Sequence, residues 1–163
     1  LSRTQELLQK MGNPEKKLKF VHIAGTNGKG STAAMTASIL RKAGYRTGLY
    51  TSPYIYRFNE RMQVDGVEIT DEELVAFTEY VKPLADSMEE SPTEFEPVCC
   101  IAFEYFVHKQ CDIVVLEVGM GGAFDATNVI ETPEVAVITN ICLHHTSQSQ
   151  KTGRYGACQL SAW

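Results

Sequence analysis

The sequence predicts an α/β fold in which helices lie on both faces of a mostly parallel β-sheet. Short apolar runs alternate along the chain with stretches of helical periodicity. The first apolar run, residues 20–24, is followed by a glycine-rich segment, a helical pattern and a second apolar run. This order is that of a βαβ unit, whose two strands are parallel. A chain of 163 residues is long enough to bury the core of one such domain.

The first elements in chain order are a short helix and a buried strand. An amphipathic pattern around Leu7 and Met11, ended by residues 12–14, predicts the helix. Residues 20–24, FVHIA, form an uninterrupted apolar run with β-branched members. Such a run is typical of a parallel strand that is covered on both sides, so we predict the first strand there. His22 within it is expected to be structural.

A helix, a second strand and a long loop follow. Residues 32–43 are rich in Ala, Met and Leu and predict a helix that Gly44 ends. The second strand is predicted over residues 47–51. Residues 52–69 contain Pro, Asn and Asp-Gly turn residues without a helical period, so we expect a long ordered loop with a short hairpin at Asp65-Gly66. Loops of this length in compact domains are usually functional or mobile.

Two capping boxes predict the next two helices. They are formed by Thr70 with Glu73 and by Thr93 with Glu96. The first begins a helix predicted over residues 71–87, with an earlier end at Pro83 as the alternative. The second begins a helix that extends to Lys109. His108, near the end of that helix, is expected to be structural.

Two further apolar strands, residues 112–118 and 135–140, complete the predicted sheet. The chain from residue 146 differs from everything before it, because it is polar and has neither the helical nor the strand periodicity of hydrophobic residues. We therefore predict an incomplete domain over residues 1–145 and a poorly ordered tail over residues 146–163. The first residue is Leu1 rather than Met, which leaves open that the start of the chain is also missing.

Composition and charge exclude several classes of protein. Hydrophobic residues make up 44% and charged residues 21% of the chain, as in ordinary globular domains, so extended disorder is not expected. No apolar run is long enough for a membrane span and the N-terminus lacks a secretion signal, which predicts a cytoplasmic protein. The net charge of −5 argues against nucleic acid or a membrane as partner, because both attract basic surfaces.

The cysteine pattern fits neither a disulfide framework nor a zinc site, since the number is odd and no CxxC spacing occurs. The cysteines are Cys99, Cys100, Cys111, Cys142 and Cys158. We expect reduced thiols that are mostly buried.

The strongest candidate site is GTNGKGS at residues 25–31, between the first predicted strand and the helix after it. Its members are Gly25, Thr26, Asn27, Gly28, Lys29, Gly30 and Ser31. Glycines let successive N–H groups face an anion, the helix N-terminus adds its dipole, and Lys29 adds a full charge. A triphosphate is the expected ligand, and a tight turn with a solvated lysine is the alternative. The segment departs from the ordinary P-loop pattern, because Ile23 replaces the first glycine and Gly30 separates Lys29 from Ser31.

Polar residues at the carboxyl ends of the other strands are candidate metal ligands. Glu117 ends an apolar run, so a parallel strand would bring it to the edge of the sheet where ligands bind. A lone acid opposite a phosphate loop suits Mg²⁺, and an incidental acid is the alternative. His145 follows the last strand at the same edge, with His144 as a competitor and a pair of surface histidines as the alternative. Ser52, after the second strand, adds a hydroxyl.

Two further segments carry weaker patterns. Asn59, Glu60 and Arg61 are polar loop residues in a position to meet a substrate, and ordinary loop residues are the alternative. GMGG at residues 119–122 is similar to part of a dinucleotide fingerprint. Phe124 stands at its sixth position and no helix pattern follows, so we reject that interpretation.

Five segments taken together resemble the Mur ligase superfamily and, within it, the folylpolyglutamate synthase and dihydrofolate synthase family. They are GTNGKGS at 25–31, YTSPYIYRFNERMQVDG at 50–66, TEFE at 93–96, LEVGMGGAFDATNVI at 116–130 and VITNICLHH at 137–145. The resemblance extends over residues 1–145. It is specific, because the FNER loop and the DATN segment separate the folate enzymes from cell-wall Mur ligases. It implies a P-loop-containing central domain of the Mur ligase type.

The resemblance also implies an activity: an ATP-dependent ligase that adds L-glutamate to folate, or to dihydropteroate, through an acyl phosphate. Lys29 and the amides of residues 27–31 would hold the phosphates of ATP. Ser52, Glu117 and His145 match the family's Mg²⁺-binding positions, and Lys29, Glu117 and His145 would be catalytic. The pterin-side pocket would be shaped by a loop over residues 53–62 that includes Pro53, Phe58, Asn59, Glu60 and Arg61. The intact parent is expected to be a monomer.

The sequence departs from that family near its end. Cys142 and His144 stand where many members have Gly and Asp. Family members continue into a helix with a carbamylated lysine and then into a C-terminal domain that binds glutamate, and this chain supplies neither. We therefore expect a truncated chain with an altered tail that does not turn over by itself. A nucleotide-binding remnant without activity and a cell-wall Mur-type ligase are the alternatives.

Overall fold

Four parallel strands and an antiparallel hairpin form one six-stranded sheet in the computed structural model, which describes residues 1–141. The strands are β1 (Phe20–Ala24), β2 (Thr47–Tyr50), β3 (Met62–Val64), β4 (Val67–Glu68), β5 (Ile113–Glu117) and β6 (Val135–Ile138). The α-helices are α1 (Ser2–Lys10), α2 (Lys29–Lys42), α3 (Asp71–Asp86) and α4 (Phe95–His108). Short 3₁₀ helices cover Pro14–Lys17, Phe58–Arg61 and Ala126–Val129.

The strand order is β4-β3-β2-β5-β1-β6. β2, β5, β1 and β6 are parallel, whereas β3 pairs antiparallel with β2, and β4 with β3. Ile23 lies opposite Glu117, and Tyr50 lies opposite Leu116. The carboxyl ends of β1, β2 and β5 are therefore level, and the loops that follow them meet at one edge of the sheet.

Alternate residues of the strands pack into two separate cores. Val21, Ile23 and Leu49 face α2, in a small cluster that includes Ala33. Phe20, Tyr50 and Leu116 belong to a larger cluster on the opposite face, where α1, α3 and α4 pack. The predicted fold class, a mostly parallel sheet with helices on both faces, is thus confirmed.

Most predicted elements are confirmed, with small differences at their ends. The hairpin turn lies at Asp65-Gly66, both with positive φ. Thr70 and Glu73 form the predicted reciprocal capping box at the start of α3. The early end at Pro83 is wrong, because α3 continues to Asp86. Pro83 lies in the last turn of the helix, where the loss of one backbone hydrogen bond costs little continuity.

The second predicted capping box forms only in part. α4 begins at Phe95 after Glu94, which makes no capping hydrogen bond through its side chain. The carboxylate of Glu96 accepts the N–H and the hydroxyl of Thr93, at 2.6 and 2.9 Å. The same carboxylate accepts a hydrogen bond from Nε–H of Arg3 at 3.1 Å, so Glu96 joins α1 to the start of α4.

The described residues bear on two other predictions. None of the helices within residues 1–141 is long and apolar enough to cross a membrane. Cys99, Cys100 and Cys111 are buried free thiols, as expected. Cys142 and Cys158, the boundary between residues 145 and 146, and the predicted disorder of the tail lie outside the described residues.

Candidate functional site

The segment at residues 25–31, hereafter the phosphate loop, connects the end of β1 to the start of α2. Gly25 has φ +136 and Gly28, which precedes the helix, has φ +80, so both need the conformational freedom of glycine. Among the residues that the structure describes, no side chain caps the N-terminus of α2. The N–H groups of its first turn have no intrahelical acceptor and are available to an anion.

Lys29, the first residue of α2, is folded back over this loop. Its Nζ lies 3.4 Å from the carbonyl oxygen of Thr26, and the residue is half-buried. Burial raises the pKa of the Glu117 carboxyl, and the hydrogen bond from Ser52 and the positive charge of Lys29 offset only part of that rise. Lys29 therefore lies on the phosphate loop within electrostatic reach of Glu117.

Glu117 is the last residue of β5 and only 4% exposed. Its Oε2 accepts the backbone N–H of Ser52, just after β2, at 3.1 Å. A Cβ atom built on Gly30 would lie 3.6 Å from Oε2 and 3.7 Å from Oε1 of Glu117. The glycine therefore keeps a gap between the phosphate loop and the carboxylate. The structure brings together three residues singled out from the sequence, Lys29, Ser52 and Glu117.

The chemistry of this donor set suits Mg²⁺. A buried carboxylate and a neighbouring serine are hard oxygen donors, and Mg²⁺ commonly takes one or two protein oxygens, with phosphate and water filling the rest. Within residues 1–141, no group of three or more His, Cys, Asp or Glu residues could hold a metal alone. A cation here would also need ligands from phosphate, from water or from residues outside this range. His144 and His145 lie outside the described residues.

The residues after β6 form part of the site that the sequence analysis missed. The N–H of Thr26 donates to the carbonyl of Asn140 at 2.8 Å, and the N–H of Asn27 donates to Oδ1 of Asn140 at 2.9 Å. The hydroxyl of Thr139 donates to the carbonyl of Asn27 at 2.7 Å. The amide of Asn27, expected to face phosphate, is thus engaged in this structure. The rule that pointed to Glu117, a polar residue after a parallel strand, applies equally to Asn140.

The 53–62 loop uses its polar residues internally. The carboxylate of Glu60 accepts the N–H groups of Ile55, Tyr56 and Arg57 at 2.7–2.9 Å, and these bonds lower its pKa. Asn59 is buried, and its amide donates to the carbonyl of Ile69 at 2.7 Å. Neither side chain is directed to an open site. Both shape the loop in this structure, and their role toward a substrate stays a prediction.

The open side of the 53–62 loop is aromatic instead. Tyr54, Ile55 and Tyr56 are 45%, 79% and 91% exposed. The guanidinium of Arg61 lies over the rings of Tyr54 and Phe58, 5.3 and 5.4 Å from their centroids, which fixes both rings. The sequence analysis emphasised the polar residues and missed this exposed apolar group, although two tyrosines beside Ser52-Pro53 were visible.

A buried polar network orders the segment after Glu117. Asp125 accepts the N–H of Met120 at 2.8 Å and the N–H and hydroxyl of Thr127. Nε2 of His22 lies 2.9 Å from the Thr127 hydroxyl, and burial lowers the pKa of His22 to about 3, so the ring is neutral. His22 is structural, as predicted. Within residues 1–141, a 3₁₀ helix and β6 follow residues 119–122 and no α-helix does, in agreement with the rejection of a dinucleotide fingerprint.

Comparison with known proteins gives a consistent relationship. Residues 23–160 match the sequence family of the Mur ligase middle domain. The dihydrofolate synthase/folylpolyglutamate synthase of Bacillus subtilis is 48% identical over 151 residues, which are 89% of this chain and 35% of that protein. The crystal structure of folylpolyglutamate synthase from Thermotoga maritima superposes with a TM-score of 0.85 at 43% identity, covering 90% of this chain and 36% of that one.

A further solved structure, an FPGS–AMPPCP–folate complex, superposes with a TM-score of 0.85 at 42% identity, covering 88% of this chain and 36% of that chain. The chain thus spans about a third of the length of the relatives that it matches. The match to the middle domain extends over most of the sequence, and the phosphate loop and Glu117 both lie within it. The chain therefore belongs to the Mur ligase family, whose middle domain it matches.

Proposed function

We propose that this chain is the nucleotide-binding part of an ATP-dependent amide-forming ligase that adds L-glutamate to folate or dihydropteroate. The observation that carries the proposal is geometric: the carboxylate of Glu117 faces Gly30 in the first turn of α2, next to Lys29. A carboxylate, a lysine and an uncapped helix N-terminus on one loop suit a polyphosphate with its cation. The relatives named dihydrofolate synthase and folylpolyglutamate synthase support the same activity.

The roles of the residues follow from their positions. The N–H groups of Gly28 to Ser31 and the ammonium of Lys29 would bind the phosphates. Glu117 and Ser52 would hold Mg²⁺, with His145 as the third ligand. When bound, ATP would supply the phosphoryl group that activates a carboxylate, and Mg²⁺ would neutralise its charge. The chain's own contribution would be to align the phosphates and stabilise their charge, because phosphoryl transfer needs positioning and charge stabilisation more than covalent help.

The acceptor would lie against the 53–62 loop. Tyr54 and Tyr56 expose aromatic area next to Ser52, and a flat heteroaromatic ring stacks on such side chains. The relative solved with AMPPCP and folate supports a folate as the acceptor. Glutamate would enter as the amine. The intact parent is proposed to act as a monomer.

A titration with Mg–ATP tests the nucleotide site, since a ligand that binds only the folded state also raises its melting temperature. Lys29→Ala is expected to weaken binding at least about tenfold, because a charged contact to phosphate is lost. Lys42→Ala removes the same charge from the opposite end of α2 and serves as the matched control. Equal affinity in all three proteins, or no saturable binding by the wild type, would refute the proposal.

Competition experiments distinguish the acceptor. A pteroate analogue is expected to bind the Mg–ATP complex of the chain, and replacing Tyr54 with Ala should weaken this binding without changing the affinity for Mg–ATP. Binding of a UDP-sugar in place of the pteroate analogue would instead assign the chain to the cell-wall Mur ligases.

A further inference from the structure

Residues 139 and 140, directly after β6, hold the phosphate loop from the side. Two N–H groups of the loop, those of Thr26 and Asn27, donate to the carbonyl and the side chain of Asn140. The carbonyl of Asn27 accepts the hydroxyl of Thr139. Consecutive peptide groups of the loop are therefore attached to a segment more than 110 residues away in sequence.

The two segments approach closely at the first position of the loop. A Cβ atom on Gly25 would collide with Oγ1 of Thr139 and lie 3.0 Å from the carbonyl oxygen of Asn140, so a larger residue would require this segment to move. Gly25 also has φ +136, which other residues rarely adopt. Sterics and hydrogen bonding thus agree that residues 139 and 140 determine where the loop begins.

We propose that Thr139 and Asn140 are positioning residues that hold the phosphate loop in its open, anion-binding shape. Neither residue has to contact the nucleotide for this role. Their bonds engage the peptide groups of residues 26 and 27, immediately before the N–H groups of Gly28 to Ser31 that remain available for phosphate. A glycine-rich loop without these bonds would sample many conformations, and binding would carry the entropy cost of selecting one.

The expected effect of nucleotide binding on β6 rests on the proposed function. β6 is the outermost strand of the described sheet, and Val135 and Ile138 are 50% and 44% exposed. Because residues 139 and 140 directly follow β6, we expect the loop to keep its shape only while β6 is paired with β1. By linkage, a nucleotide that prefers the ordered loop must also stabilise β6. We expect Mg–ATP to slow amide hydrogen exchange in residues 135–138, which lie outside the phosphate loop itself.

The first experiment measures amide hydrogen exchange in the whole chain without nucleotide. Asn140→Ala should accelerate exchange at Asn27 about tenfold, because a bond to this amide is lost. Thr139→Val should accelerate exchange in the same loop to a smaller extent. Asn140→Asp keeps an acceptor oxygen and should retain the protection. Asn128→Ala, which removes a side-chain hydrogen bond from the amide of Asn128 to the carbonyl of Ala123, is the matched control and should leave exchange at Asn27 unchanged. Unchanged exchange at Asn27 in Asn140→Ala would overturn the proposal.

The second experiment compares Mg–ATP affinities of the same proteins. Asn140→Ala is expected to bind about five- to tenfold more weakly than the wild type and Asn128→Ala. Asn140→Asp should also bind more weakly, since its charge repels phosphate although the loop stays ordered. If exchange responds as expected but the wild type binds no Mg–ATP, the proposed function fails and the loop attachment stands. If the wild type binds and Asn140→Ala binds equally well, the positioning role is refuted.

Discussion

The phosphate loop and the 53–62 loop meet at the same edge of the sheet but use their polar residues in opposite ways. In the phosphate loop, Lys29 and the first turn of α2 lie next to Glu117, and the N–H groups of that turn have no intrahelical acceptor. In the 53–62 loop, Glu60 and Asn59 bond to backbone groups and leave aromatic side chains outside. The physical difference is that α2 provides unpaired N–H groups by its helical geometry, whereas an irregular loop must satisfy its own.

The largest expected effect concerns the close contact that only the phosphate loop makes. Gly25→Ala places a methyl group against Thr139 at a backbone conformation that alanine rarely adopts. We expect the free energy of unfolding to fall by about 2–4 kcal/mol, measured by urea denaturation. Gly44→Ala is the control, because its φ is +94 but nothing lies within 4 Å of the added atom, so only about 1–2 kcal/mol of strain applies. Equal losses would show that the contact with residue 139 is unimportant.

The next prediction tests whether the 53–62 loop affects stability without affecting nucleotide binding at the phosphate loop. Asn59→Ala removes the donor to the Ile69 carbonyl and a second bond to Asp71. Because Asn59 is buried, we expect a loss of about 1–3 kcal/mol in unfolding free energy and an unchanged affinity for Mg–ATP. Urea denaturation and calorimetric titration of the same protein measure the two quantities. A parallel loss of nucleotide affinity would mean that the loops are coupled.

A pH-dependent effect is expected at Glu117, where burial raises the pKa above its unfolded value. A raised carboxyl pKa adds stability at low pH, and this contribution is lost as pH rises through the folded pKa. Glu117→Gln should therefore be as stable as the wild type or more stable near pH 7, by about 1 kcal/mol or less, with the difference vanishing at acidic pH.

The same substitution should abolish the Mg²⁺-dependent part of ATP binding. Melting curves from pH 3 to 8, recorded beside titrations with ATP in the presence and absence of Mg²⁺, would measure both effects. A variant that is clearly less stable at neutral pH would show that Glu117 is a structural carboxylate.

The smallest effect on stability is expected for the cation–π contact of Arg61 with Tyr54 and Phe58 in the 53–62 loop. Arg61→Lys keeps the charge but loses the planar guanidinium that covers Tyr54 and Phe58. The free energy of unfolding should fall by less than about 1 kcal/mol, with no change in Mg–ATP affinity. Binding of a pteroate analogue should weaken, because the rings lose their fixed orientation. An unaffected pteroate affinity would place the acceptor elsewhere.

Regular elements were predictable because their causes are local. The apolar run at residues 20–24 and the Thr70 capping box each lie within one short stretch, and both are confirmed. The early helix end predicted at Pro83 was wrong for a local reason too. A proline in the sequence does not reveal whether the helix ends there or continues for one more turn. Lys29, Ser52 and Glu117 could be grouped from sequence, because parallel strands bring their carboxyl ends to one edge.

The rest depended on pairing across the chain. Whether Asn59 and Glu60 face a ligand or their own backbone is decided by the position of Ile69 and of residues 55–57. The hydrogen bonds of Asn140 to the phosphate loop required the register of β6 beside β1.

The sequence by itself determined the fold class, the order of the elements and the phosphate loop, because hydrophobic period, glycine placement and capping residues act over a few residues. Only the tertiary structure decided which polar groups remain available. A buried carboxylate or amide is held by whichever backbone group lies within about 3 Å, and that neighbour comes from another part of the chain. Glu117 meets Ser52, and Asn27 meets Asn140, only once the parallel strands are side by side.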